Sequence, residues 1–193
     1  MICLTGDVLH HSYRGVDTWY SAFSEVRLAL RYSEIAARYG VKITLFITGK
    51  TCRQEPALIA ELSRMPNCEI GGHTYCAFRS PLHWIWKRLG FGITGPAFFQ
   101  ARDIAKTVRA IEQLTGKRIR TWRNHAYRHD QHTYGLLSNA GIEVVSDHLS
   151  AMATAPERYS QLLLSLPINT IPTDNVWRLR SAQPQAVKRC LDR

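Results

Sequence analysis

The chain has 193 residues, 45% of them apolar, which suits one globular domain with a sizeable core and excludes a disordered chain. No run of about 20 apolar residues occurs, so no bilayer-spanning helix is expected. Lys and Arg outnumber Asp and Glu by 25 to 15, and the net charge of +10 favours anionic partners: nucleic acid, a lipid surface or an acidic saccharide. The basic residues are spread along the chain and no nucleic-acid-binding module is recognisable, so nucleic acid is disfavoured.

Met1 leads into Ile2-Cys3-Leu4 with no basic leader and no small-residue cleavage site, so a cytosolic protein is expected. Cys3, Cys52, Cys68, Cys76 and Cys190 form no CxxC pair, and an odd number argues for free thiols. The apolar run 2–5 predicts a buried strand that ends in a loop at Gly6-Asp7. Residues 20–39 predict a helix with Phe23, Val26, Leu30, Ile35 and Ala36 inward and Gly40 as its C-cap. Strand 41–48, helix 55–65 with Pro56 in its first turn, and strand 68–72 follow. Residues 75–100 form an unusual stretch that combines Phe78, Trp84, Trp86, Phe91, Phe98 and Phe99 with Lys87 and Arg88. Helix 101–115 capped by Gly116, strand 119–122, helix 131–140 and strand 142–146 come next; a last strand is expected within 162–171 and a terminal helix at 181–193.

Alternating strands and helices predict an α/β domain with a parallel sheet and crossover helices, open or closed into a barrel. In either form the functional side chains stand at the carboxyl ends of the strands. That rule selects Asp7, His10 and His11 after the first strand, and His73 after the third. It selects Arg123 and His125 after the fourth, and Asp147 and His148 after the fifth. His10 and His11 are adjacent, so only one should face the pocket. His83, His129 and His132 are assigned to solvated faces. Imidazoles and carboxylates on one rim suit a divalent metal, which would polarise a carbonyl and acidify a bound water, with a free carboxylate as base. Plainer roles stand beside this: Asp7 as a turn cap, His73 as a satisfied core histidine, Arg123 in a rim ion pair.

The run Lys42-Ile-Thr-Leu-Phe-Ile-Thr-Gly49, the helix that follows, and Glu69-Ile-Gly-Gly-His-Thr-Tyr75 resemble the polysaccharide deacetylase family. Thr5-Gly6-Asp7-Val8 partly matches its Thr-Phe-Asp-Asp motif, and Trp122-Arg123-Asn124-His125-Ala126-Tyr127 approximates its Arg and Pro-Tyr-Gly motif. The resemblance spans about residues 2–148. It implies a distorted (β/α) barrel of about seven parallel strands over a single domain, residues 1–193, with an aromatic and basic insert at about 78–100. It also implies removal of an acetyl group from an N-acetylated sugar with a divalent metal, commonly Zn2+. Asp7 matches the catalytic base, Arg123 the residue that holds it, and His73 the first metal histidine. The second motif aspartate is Val8 here and the second metal histidine is Ala77; no late Leu-x-His motif is found, Asp174 and Asn175 being the nearest residues.

Two outcomes follow. A rebuilt metal site would draw on His73, His10 or His11, and His125, which replaces a proline of the family pattern. A lost site would leave a non-catalytic carbohydrate- or partner-binding protein. Three histidines and an aspartate at one rim favour rebuilding. A small non-sugar amide is a third possibility for the substrate. Tyr75, Tyr127, Asp147 and Trp84 are the expected substrate-binding residues. The insert reads as a core-packing arm, a lid, or a contact with an anionic membrane surface.

Overall fold

The computed structural model describes residues 3–13, 22–150, 152 and 155–169. Three short strands open the sheet: β1 (Leu4–Val8), β2 (Ile43–Ile47) and β3 (Cys68–Gly72). They pair in parallel, with Asp7 beside Phe46 and Phe46 beside Gly71. β4 (Thr121–Trp122), β5 (Val144–Val145), β6 (Glu157–Arg158) and β7 (Leu164–Ser165) extend the sheet in the order β1-β2-β3-β4-β5-β7-β6. Every pairing is parallel except the last. The expectation of an all-parallel set is corrected at β6, which runs antiparallel to β7. Residues 157–165 hold two strands with no room for a crossover helix, so the pair forms a hairpin.

Helix α1 (Glu25–Arg38) begins at Ser24, whose side chain accepts the Arg27 N–H. It buries Val26, Ala29, Leu30, Ser33 and Ala36 on one stripe. Phe23 and Ile35, expected inside, are exposed; Ile35 lies one residue off the stripe set by Val26, Leu30 and Ala36. Two further helices follow β2. α2 (Gly49–Gln54) is short and polar and has no counterpart in the sequence pattern, and α3 (Pro56–Arg64) starts on its proline. After β3, α4 (Pro81–Arg88) forms within the insert, and α5 (Ala97–Thr115) ends at Gly116 in the left-handed conformation, φ 68°. α6 (Thr133–Asn139) leads back to β5. Val8, Leu45, Ile47, Ile59, Leu62, Ile111, Trp122 and Leu137 belong to the core between sheet and helices. No helix among the described residues is long and apolar enough to cross a membrane. The terminal helix expected at 181–193, Asp174, Asn175 and Cys190 lie outside the described residues.

The insert corrects one expectation. His83 is not on a solvated face: it is 3% exposed, its Nδ1 2.7 Å from Ser80 Oγ, its ring edge-on to Phe99 and Phe78. Burial lowers its pKa from 6.5 to about 4. The unfolded chain therefore takes up this proton first on acidification. The stabilising contribution is complete above pH 6.5 and is lost as the pH falls toward about 4. His83→Phe should flatten the acid limb of a melting-temperature profile over that range; parallel profiles for the two proteins would contradict it.

Gly72 sets the packing beneath the site. A Cβ there would overlap the Trp122 ring, which is fully buried and has its Nε1–H held by Asn124 Oδ1 at 2.9 Å. The ring cannot retreat, so Gly72→Ala should cost roughly 1–3 kcal/mol in urea unfolding. Gly135 lies in α6, where an added methyl group would meet open space, and should behave oppositely: Gly135→Ala gains about 0.5–1 kcal/mol from helix propensity.

Candidate functional site

β1 alternates, so Thr5 and Asp7 project to the same side while Val8 turns into the core. Both meet Arg123, which follows β4 and is 4% exposed. One guanidinium nitrogen donates to Asp7 Oδ1 at 3.0 Å. A second donates to Thr5 Oγ1 at 2.9 Å and Ser146 Oγ at 2.8 Å, and Nε donates to the Ser146 carbonyl at 2.9 Å. The cation also lies 4.4 Å from the centre of the Phe46 ring. A buried charge is tolerated only when paired and hydrogen-bonded, and each of these contacts contributes to that. The result is a carboxylate held rigidly on one oxygen and open on the other.

That other oxygen, Asp7 Oδ2, is 3.9 Å from His73 Nε2, and the Asp7 side chain remains 31% exposed. His73 is fully buried. Its Nδ1 lies 2.8 Å from the Arg123 carbonyl, which can only accept, so Nδ1 carries the hydrogen. Burial above all lowers the His73 pKa, so the ring is neutral and Nε2 presents a lone pair. His125 Nδ1 is 3.3 Å from that nitrogen, and His125 Nε2 is 3.4 Å from the Tyr13 hydroxyl. Burial, with His73 next, lowers the His125 pKa to about 3. His10 is buried beside this group, its Nδ1 3.4 Å from Thr48 Oγ1 and its ring edge-on to Tyr13. Burial, Lys50 and Arg79 bring its pKa to about 4. His11 is exposed, so one of the adjacent pair faces inward, in keeping with an extended backbone.

Two ligands of one zinc ion, each about 2.0–2.1 Å from it, stand a little over 3 Å apart in tetrahedral geometry. The His73 and His125 nitrogens have that separation, and the bond from His73 Nδ1–H to a carbonyl is the usual outer support of a metal histidine. The donor set therefore fits two nitrogen ligands. Among the described residues no group of three or more His, Cys, Asp or Glu is arranged to hold a metal. His10 and His11, expected as further ligands, do not join the pair. Val8 and Ala77 are buried and add none.

The loops that carry the histidines are strained. Thr74, Ala77, Phe78, Ala126 and Tyr127 have φ between 50° and 58°, a region that costs non-glycine residues about 1–2 kcal/mol each. Surrounding bonds hold the loop after β3. The Gly49 and Lys50 N–H groups at the start of α2 donate to the Thr74 and Tyr75 carbonyls, at 3.1 and 2.8 Å. The Tyr75 N–H donates to Asp103 Oδ2 of α5 at 2.9 Å. Burial raises the Asp103 pKa to about 6.

The expected substrate-binding residues are dispersed. Tyr75 is buried, its ring beneath Lys106 and its hydroxyl 3.4 Å from an Arg53 nitrogen. Asp147 is buried and accepts from the Asn124 N–H and side-chain amide, both at 2.7 Å; burial raises its pKa. Tyr127 stands in the 3-10 turn His125–Tyr127 beside the histidine pair. Trp84 is on the outer side of α4, under the Arg88 guanidinium, away from this cluster. Sequence reasoning missed Tyr13, Thr5 and Ser146. The only signal for Tyr13 was an aromatic three residues after His10 in the same loop.

The polysaccharide deacetylase family model matches residues 27–145, well over half of the chain. No curated protein matches the sequence. Solved structures of similar fold include a protein from Mycobacterium smegmatis assigned as a polysaccharide deacetylase, at 18% identity and TM-score 0.64 over 86% of this chain and 58% of that one. Another, from Bordetella bronchiseptica, is assigned as a polysaccharide deacetylase involved in O-antigen biosynthesis, at 16% identity and TM-score 0.51 over 86% of this chain and 56% of that one. A CE4 family pseudoenzyme from Bacillus anthracis is similar at 15% identity and TM-score 0.54, over 74% of this chain and 42% of that one. The chain thus covers less than two thirds of the length of each of these structures. The family match takes in the strands and loops that carry His73, Arg123 and His125, and the chain belongs to the polysaccharide deacetylase family.

Proposed function

We propose that the protein is a metal-dependent hydrolase that removes the acetyl group from an N-acetylated sugar. One observation carries this reading: a carboxylate clamped by a buried arginine offers its free oxygen 3.9 Å from a neutral histidine nitrogen, beside a second histidine. That distance is too long for a hydrogen bond and suits a bridged arrangement. Asp7 Oδ2 is the base that takes the proton of the attacking water, and Arg123 fixes its direction. His73 and His125 would hold a divalent ion, Zn2+ being the best match because both donors are imidazole nitrogens; when bound, it supplies polarisation of the acetamide carbonyl. The net charge of +10 is compatible with an acidic saccharide as substrate.

A second reading, saccharide binding without hydrolysis, is favoured by a different observation. With no ion, Tyr13 O–H can donate to His125 Nε2, His125 Nδ1–H to His73 Nε2, and His73 Nδ1–H to the Arg123 carbonyl. Every ring nitrogen is then satisfied, and no third ligand is present among the described residues.

Metal content of protein purified without a histidine tag, together with acetate release from N-acetylated oligosaccharides, separates the two. Hydrolysis requires roughly one equivalent of divalent metal, lost in His73→Ala and His125→Ala. Asp7→Asn should keep the metal and lower the rate by about 100-fold or more. Saccharide binding with neither bound metal nor acetate release, whatever divalent ion is added, would establish the second reading. Release of acetate from small amides but from no sugar would retain the chemistry and change the substrate class.

A further inference from the structure

The insert between β3 and α5 has a built inside and an outside that is exposed among the described residues. Inside, the Trp86 ring packs edge-on against Phe91 and Phe98 at 5.6 and 5.8 Å, and His83 packs against Phe99 and Phe78. Thr94 Oγ1 and the Gln100 amide both donate to Asp130 Oδ2, tying the insert to the start of α6. Those contacts anchor the arm. They leave Leu82, Trp84, Ile85, Leu89, Phe91 and Phe98 exposed; Trp84 and Leu89 are each 62% accessible and Phe98 68%. At about 100° per residue, Trp84, Ile85 and Arg88 fall on the side of α4 opposite His83 and Trp86. Scattered single exposures need no explanation, but six large apolar side chains within 17 residues do.

The charge around them is of one sign. From Phe78 to Arg102 there is no Asp or Glu, while Arg79, Lys87, Arg88 and Arg102 are all positive. The Arg88 guanidinium lies 5.1 Å from the centre of the Trp84 ring. We propose that the outer face of α4 and the flanking Leu89, Phe91 and Phe98 dock the protein onto an anionic lipid surface. Aliphatic and tryptophan side chains enter the headgroup boundary while Lys87 and Arg88 meet the anionic headgroups. Charge complementarity decides between occupants. A second copy in a two-fold contact would set two patches that carry only positive charge against each other. A polyanion such as nucleic acid would give Leu82, Ile85 and Leu89 nothing to bury against. Docking is independent of whether the site hydrolyses. It also sets the position of the site, because α4 is joined to it by ring contacts from His83 to Phe78 and from Phe78 to His125.

Co-sedimentation of the full chain with vesicles of phosphatidylcholine alone, and of phosphatidylcholine mixed with phosphatidylglycerol, tests this. The expected result is binding to the mixed vesicles only, weakened by high salt. Lys87→Gln with Arg88→Gln should reduce the partition coefficient on the order of 30-fold, from about 1 kcal/mol per basic residue. Trp84→Ser with Leu89→Ser should reduce it at least about tenfold. All four side chains are exposed, so unchanged melting curves check that folding is intact. No binding to anionic vesicles at low salt overturns the proposal, as does binding that survives Trp84→Ser with Leu89→Ser. A dimer in sedimentation velocity that dissociates on the same substitution also overturns it, in favour of self-association.

Discussion

The site depends on where the Arg123 charge is placed. A guanidinium that is 4% exposed must find an acceptor for nearly every N–H, and it finds them on different strands. Thr5 and Asp7 come from β1, the Phe46 ring from β2 and Ser146 from the end of β5. Its own carbonyl orients His73 at the end of β3. One residue thus ties together the carboxyl ends of the first five strands, fixes the carboxylate and sets the tautomer of the imidazole beside it. Lysine could not substitute, because it lacks the planar fork that reaches Asp7, Thr5 and Ser146 at once.

Below that clamp the packing is tight. Gly71 and Gly72 give β3 a bare surface on which Thr121, Phe46 and Trp122 lie in contact, and the Trp122 indole passes its constraint through Asn124 to Asp147. Above it, the loop after β3, with its left-handed Thr74, is held by α2 and α5. A rigid floor and braced loops are the conditions for preorganised chemistry, since a carboxylate and imidazoles must be held to within a fraction of an ångström. The same rigidity suits specific binding without chemistry.

Much of this was legible in the sequence. The apolar, β-branched run before Gly49 reads as a strand because burial on both faces leaves no alternation to misread. The rule that functional side chains stand at strand carboxyl ends named Asp7, His10, His11, His73, Arg123, His125, Asp147 and His148; His11 and His148 are exposed, and the others lie in or beside one cluster. Several features were hidden for physical reasons. α2 is six residues of mixed character, too short to show a period. β6 needs a hairpin partner that a local pattern cannot reveal. His83 carries no mark of burial until Phe78 and Phe99 close around it. Thr5, Ser146 and Tyr13 are ordinary residue types whose roles exist only through contacts far apart in the chain.

In the proposed function, His73 and His125 would hold one divalent ion beside the Asp7 carboxylate. Anomalous diffraction from crystals grown with zinc addresses it most directly. The expected result is a single peak about 2.1 Å from both nitrogens, with Asp7 still bound to Arg123. An empty density map between two rings in direct hydrogen-bond contact, or zinc bound only elsewhere, would contradict it.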